Sequence, residues 1–78
     1  MSKQEIRSPL PGIFYRKPGP DSPPYKQDGE VVAAEDVIGL VEVMKSFHEV
    51  RAGVAGAIRF VVDNEEPIMA GDVIAEVG

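Results

Sequence analysis

The feature that most restricts how this chain can fold is that it repeats itself. Ala34-Glu35-Asp36-Val37-Ile38 resembles Ala70-Gly71-Asp72-Val73-Ile74 at an offset of 36 residues. Ile6-Arg7 followed by Gly12 resembles Val50-Arg51 followed by Gly56 at an offset of 44. A self-similar chain builds one unit twice and buries a core between the copies. The offsets differ by eight, so the first copy carries about eight extra residues between Gly12 and Asp36. Pro18 to Tyr25 is eight residues long and lies in that interval. The pattern predicts two half-barrels of about four strands each, the first with an insertion, meeting near residues 43–46.

The apolar side chains say what the unit is made of. Eleven Val and six Ile stand against two Leu. β-Branched side chains suit a pleated surface and lose rotamer freedom in a helix. Eight Gly and seven Pro call for frequent turns. The prediction is all-β. Strands are expected at Ile13 to Arg16, Val31-Val32, Val37 to Glu42, Ile58 to Val62 and Val73 to Val77, with a turn over Asp63-Asn64-Glu65-Glu66-Pro67. Val37, Leu40, Val41, Met44 and Phe47 also fit a helical spacing. Gly39 in the middle, the β-branched neighbours and the repeat decide against a helix. Pro18-Gly19-Pro20-Asp21-Ser22-Pro23-Pro24 fits neither a helix nor a central strand, because proline lacks the N–H and restricts its predecessor.

A chain of 78 residues makes one small domain, expected over residues 1–78, too short for a dinucleotide-binding fold. Without cysteine it has no disulfide, zinc–thiolate or iron–sulfur chemistry. The net charge of -5 argues against a nucleic-acid or anionic-membrane surface. No apolar run reaches the roughly 18 residues of a membrane span. Met1-Ser2-Lys3-Gln4-Glu5 lacks the apolar stretch of a signal peptide, so a cytoplasmic location is expected.

The junction of the two halves is Val41-Glu42-Val43-Met44-Lys45-Ser46-Phe47. A two-residue hairpin there wants Asn-Gly or a similar pair, because both central residues take positive φ. Met44-Lys45 breaks that rule, and places where local sequence defies the fold tend to be functional. A lone exposed lysine is ordinarily a solubility device. A lysine at the symmetry junction of a duplicated β-domain is a different matter.

These residues resemble a known family. Glu42-Val43-Met44-Lys45 is similar to the Glu-Ala-Met-Lys motif of biotinyl domains, the biotin carboxyl carrier proteins of biotin-dependent carboxylases. Arg7-Ser8-Pro9-Leu10-Pro11-Gly12-Ile13-Phe14-Tyr15-Arg16 resembles the opening strand pair of the acetyl-CoA carboxylase type. Pro18-Gly19-Pro20-Asp21 resembles the start of that type's thumb, and Ala55-Gly56, Pro67 and Gly71-Asp72 complete the pattern. Val43 and Ser46 stand where the family usually has Ala and Met.

The resemblance implies a flattened eight-stranded barrel, a barrel-sandwich hybrid with pseudo-two-fold symmetry. It implies covalent biotin on Lys45, with Met44 and Glu42 read by biotin protein ligase, which would activate the amine. A thumb over residues 18–25 would bring Pro20, Asp21 and Tyr25 near the biotin. The implied partners are that ligase, a biotin carboxylase and a carboxyltransferase, and the carrier itself would not be an enzyme. Service to another biotin-dependent carboxylase, a lipoyl carrier and an unmodified binding module are the alternatives. Lipoyl domains usually place Asp before the lysine and lack the thumb.

The remaining residues read structurally. His48 is the lone histidine and has no metal-ligating company, so a strand position is expected. Phe14, Tyr15, Tyr25, Phe47 and Phe60 are expected in the core or at the barrel edge. Glu35-Asp36 and Glu65-Glu66 read as solvated turns, and Asp36 and Asp72 as turn caps. Gly12, Gly56 and Gly71 mark special backbone geometry or close strand approach.

Overall fold

A computed structural model describes residues 3–78. It has eight strands: β1 Gln4–Arg7, β2 Gly12–Tyr15, β3 Val31–Val32, β4 Val37–Val43, β5 Ser46–Arg51, β6 Gly56–Phe60, β7 Glu66–Ile68 and β8 Val73–Val77. They form two four-stranded sheets in the orders β1-β8-β6-β3 and β5-β4-β2-β7. Every pairing is antiparallel. The sheets enclose one core that includes Phe14, Val32, Ile38, Val41, Ile58, Ile74 and Val77. This is the all-β architecture the residues predict, in the flattened barrel-sandwich form the resemblance implies.

The repeat is written in the atoms. At the 44-residue offset, Ile6 matches Val50 and Phe14 matches Ile58; at 36, Val32 matches Ile68, Ile38 matches Ile74 and Val41 matches Val77. All ten of these side chains are buried. Ser8 N–H donates to the Asp72 carbonyl at 2.8 Å, and Ala52 N–H donates to the Asp36 carbonyl at 2.9 Å, one bond made twice. A Cβ on Gly12 would collide with the Glu42 carbonyl oxygen and approach Val41 Cγ1 to 2.9 Å. A Cβ on Gly56 would approach Val77 Cγ1 to the same 2.9 Å. Both glycines therefore let a strand start close against the end of its neighbour.

The halves do not form separate sheets. Each sheet takes two strands from each half, so neither half is a free-standing half-barrel. A pair of two-stranded pieces has too little core alone, and interleaving gives each sheet four strands. The segment Val37–Val43 is a strand, as the repeat requires, and Gly39 makes room for the Phe14 ring, which lies 2.5 Å from where a Cβ would sit. The predicted turn over 63–67 is shorter than expected, because Glu66 and Pro67 already belong to β7. Proline is accommodated there because β7 is an edge strand. Phe47 is exposed on the outer face of β5, 58% of its surface open, and is not a core residue.

Asp36 and Asp72 cap equivalent turns. Asp36 Oδ2 accepts from Ala33 N–H at 2.9 Å, and Asp72 Oδ2 accepts from Met69 N–H at 2.8 Å. The Ala33 N–H, aided by the Lys26 ammonium 3.3 Å away, holds the Asp36 carboxyl below its usual range against the opposing effect of desolvation. A carboxyl lowered on folding stabilises the fold above its unfolded pKa of about 3.9, and that contribution disappears as the pH falls through the folded value. Asp36→Ala is thus expected to lower the urea midpoint at about pH 7, with the gap to the parent closing as the pH falls below about 4. A gap that stays constant over that range would contradict the assignment.

Candidate functional site

The longest strands, β4 and β5, form a hairpin paired from Val37↔Arg51 to Val43↔Ser46. Only Met44 and Lys45 remain outside the ladder at the tip. Their φ angles are +49° and +69°, so both occupy the left-handed region that a primed two-residue turn demands. An L side chain there costs roughly 1–2 kcal/mol. Neither side chain recovers this by burial. Met44 is 93% exposed and Lys45 is exposed as well. The strain is held by what lies behind the tip: Ile38 and Val41 of β4 are in the core and Val43 packs against it.

Glu42 sits one residue before the end of β4, on the outer face of its sheet. Its row across the strands is Ile13↔Glu42↔Phe47. The adjacent row carries Tyr15↔Leu40. The Tyr15 hydroxyl reaches diagonally between the rows and donates to Glu42 Oε1 at 2.8 Å. Its ring lies 5.9 Å from that of Phe47, tilted by 58°. Donation to Glu42 pushes the Tyr15 phenol above its ordinary value, with desolvation and the Glu42 and Glu65 charges acting in the same direction.

The same face borders a groove of about 230 Å³. Tyr15, Leu40 and Phe47 make its floor, Lys17 to Pro20 one wall, and Asn64 and Glu65 the other. Of the residues the sequence proposed around the excursion, Pro20 lines this groove; Asp21 and Tyr25 are not among its lining residues. Tyr25 instead closes the base of the excursion, its N–H donating to the Arg16 carbonyl at 2.9 Å. Arg16 anchors that base to the barrel. Its N–H donates to Asn64 Oδ1 at 2.7 Å and its guanidinium stacks over Phe60 at 4.2 Å. A second hollow, of about 460 Å³, lies on the other sheet between residues such as Lys3, Arg59 and Glu76, and includes none of the motif residues.

His48 is exposed on β5 opposite Val41. Among the described residues no three His, Cys, Asp or Glu side chains gather as a metal site, and no helix is long and apolar enough to cross a membrane. Sequence reasoning missed the Tyr15–Glu42–Phe47 cluster. Its signal was the strand register, which places those three residues near one another across β2, β4 and β5.

The turn geometry has a direct consequence for stability. Replacing Met44-Lys45 by Asn-Gly, the pair that favours positive φ, is expected to stabilise the fold by about 1–2 kcal/mol in urea titrations. A less stable variant would contradict a strained turn.

Comparison with known proteins agrees with this geometry. A family model described as "Biotin-requiring enzyme" matches residues 4–77. The biotin carboxyl carrier protein of acetyl-CoA carboxylase from Chlamydia pneumoniae is 39% identical over 67 residues, covering 85% of this chain and 40% of that protein. The protein of the same name from Chlamydia muridarum is 42% identical, covering 85% and 41%. The chain therefore spans about two-fifths of the length of these curated relatives. The crystal structure of Kluyveromyces lactis urea carboxylase shares the fold, with a TM-score of 0.79 at 23% identity, covering all of this chain and 6% of that one. Since the family match runs through all eight strands, the chain belongs to the biotin-attachment family of biotin-requiring enzymes.

Proposed function

We propose that this chain is a biotin carboxyl carrier domain of an acetyl-CoA carboxylase, with biotin attached to Lys45 Nζ. The observation that carries the reading is the two-residue turn. Met44 and Lys45 stand alone beyond the last strand pair, in a chain whose relatives are named carriers of that enzyme. In this reading residues 1–78 work as one carrier domain, residues 18–25 are its thumb, and its place is the cytoplasm.

The residues suit the attached group. Biotin, once bound, supplies a ureido nitrogen that accepts a carboxyl group at a biotin carboxylase and yields it at a carboxyltransferase. This chain has to present one amine, keep its own bulk clear of two enzyme clefts and leave the arm mobile. The exposed tip presents the amine, and the rigid ladder behind it sets the direction of the arm. Tethering raises the local concentration of the cofactor and replaces tight binding at each site. For attachment, the Lys45 amine loses a proton to the ligase and attacks the acyl carbon of biotinyl-adenylate; the amide bond forms and AMP leaves. Met44 and Glu42 flank the amine for recognition by biotin protein ligase. The groove beside Tyr15, Leu40, Phe47 and Pro20 provides an apolar floor against which the arm can rest. In this reading Asp21 and Tyr25 shape the thumb without touching the arm. The chain does no bond-making of its own and is not an enzyme.

The test is intact mass after incubation with biotin, ATP and biotin protein ligase, with Lys45→Ala alongside. The parent is expected to gain one biotinyl group and the variant none. The variant's urea stability should stay within about 0.5 kcal/mol of the parent, since the side chain is exposed. A gain on Lys45→Ala would move the site. No gain on the parent would overturn the biotin reading, and a gain with lipoate ligase would then favour a lipoyl carrier. Deleting residues 18–25 is expected to leave a folded barrel, as the second half closes β6 to β7 without such an excursion. Global unfolding would make the segment structural.

A further inference from the structure

Glu42 is a flexible side chain at an intermediate level of exposure, next to the turn, and it has a hydrogen-bond partner on another strand. Tyr15 holds it from β2, across the sheet. The phenol donates to Oε1 at 2.8 Å, a hydrogen bond to a charged acceptor and so stronger than a neutral one. The Tyr15 ring is itself braced by Phe47, whose centroid is 5.9 Å away. Phe47 is the cross-strand partner of Glu42. An aromatic pair from β2 and β5 thus spans β4 beside this carboxylate. The large exposed area of Phe47, unexpected for a phenylalanine, has a use in this arrangement.

We propose that Tyr15 is a positioning residue for ligase recognition. It fixes Glu42 as a pre-oriented anionic handle, three residues before Lys45, for a cationic side chain of biotin protein ligase. A carboxylate has two oxygens and about four acceptor positions, so the bond to Tyr15 leaves capacity for a docking cation. Fixing the handle in advance lessens the ordering needed on docking. The inference rests on the reading that Lys45 is the modified lysine.

The experiment measures initial biotinylation rates against carrier concentration for the parent, Tyr15→Phe, Glu42→Gln and the double variant. Tyr15→Phe keeps the ring that packs on Phe47 and removes only the hydroxyl. It is expected to raise KM about three- to tenfold with kcat within about twofold, because the handle acts in docking and not in acyl transfer. Glu42→Gln should raise KM at least as much and flatten its dependence on ionic strength. The double variant should match Glu42→Gln, since Tyr15 acts through Glu42. An unchanged KM for Tyr15→Phe, or KM effects that multiply in the double variant, would overturn the role of Tyr15 while leaving the carrier reading intact. Absence of biotin on the parent would overturn the carrier reading, and this inference with it. Thermal unfolding of each variant separates these effects from loss of fold.

Discussion

The structure depends on β4 being gripped along both edges. It pairs with β2 on one side and β5 on the other, and its inner side chains Ile38 and Val41 are fully buried. At its far end Gly12 brings β2 against the Glu42 carbonyl, so closely that no Cβ would fit. That contact sets the position of Glu42, and with it the start of the turn. Two consecutive positive φ angles on Met and Lys would not persist in an isolated hairpin. They persist here because relaxing them would slide β4 against both neighbours and flip its faces. The strain at the tip is therefore an outcome of the packing below it.

Pseudo-symmetry relates the hairpin to a second strand pair. Under the two repeat offsets, β4 and β5 correspond to β8 and β1, which pair in the same way from Gln4↔Val77 inward. In one case the chain turns from strand to strand through Met44-Lys45. In the other, Gly78 and Lys3, the equivalents of Glu42 and Phe47, lie side by side. A clear asymmetry is the β2–β3 connection, which runs from Arg16 to Glu30, whereas β6 and β7 are joined through residues 61–65. Arg16 ties it down by stacking on Phe60, the residue that is its own repeat equivalent.

Much of this was legible in the sequence, for definable reasons. The repeat fixes which residues are equivalent, and equivalence carries the matched core positions, the twin Asp36 and Asp72 caps and the site of the turn. The failure of Met44-Lys45 as turn chemistry pointed to the tip. The interleaving of the halves was not legible, because a repeat shows what is alike and not what pairs. The start of β7 was hidden by Pro67, which reads as a turn residue unless the strand is known to lie at an edge. Phe47, expected in the core or at the barrel edge, lies on the edge strand β5, but the face it takes was not legible. Its outward face follows from its pairing with Glu42, and that register comes from three strands, not from one.

On this account the molecule contributes position rather than reactivity: a stiff sheet, a fixed tip and a carboxylate oriented beside it. The most direct test of that claim is transfer of label. Biotinylated chain would be incubated with biotin carboxylase, ATP and radiolabelled bicarbonate, isolated, and given to a carboxyltransferase with acetyl-CoA. The account predicts label on the parent chain, none on Lys45→Ala, and movement of that label to the acyl-CoA. A biotinylated chain that takes up no label, or that keeps it when acetyl-CoA and the carboxyltransferase are added, would contradict the account.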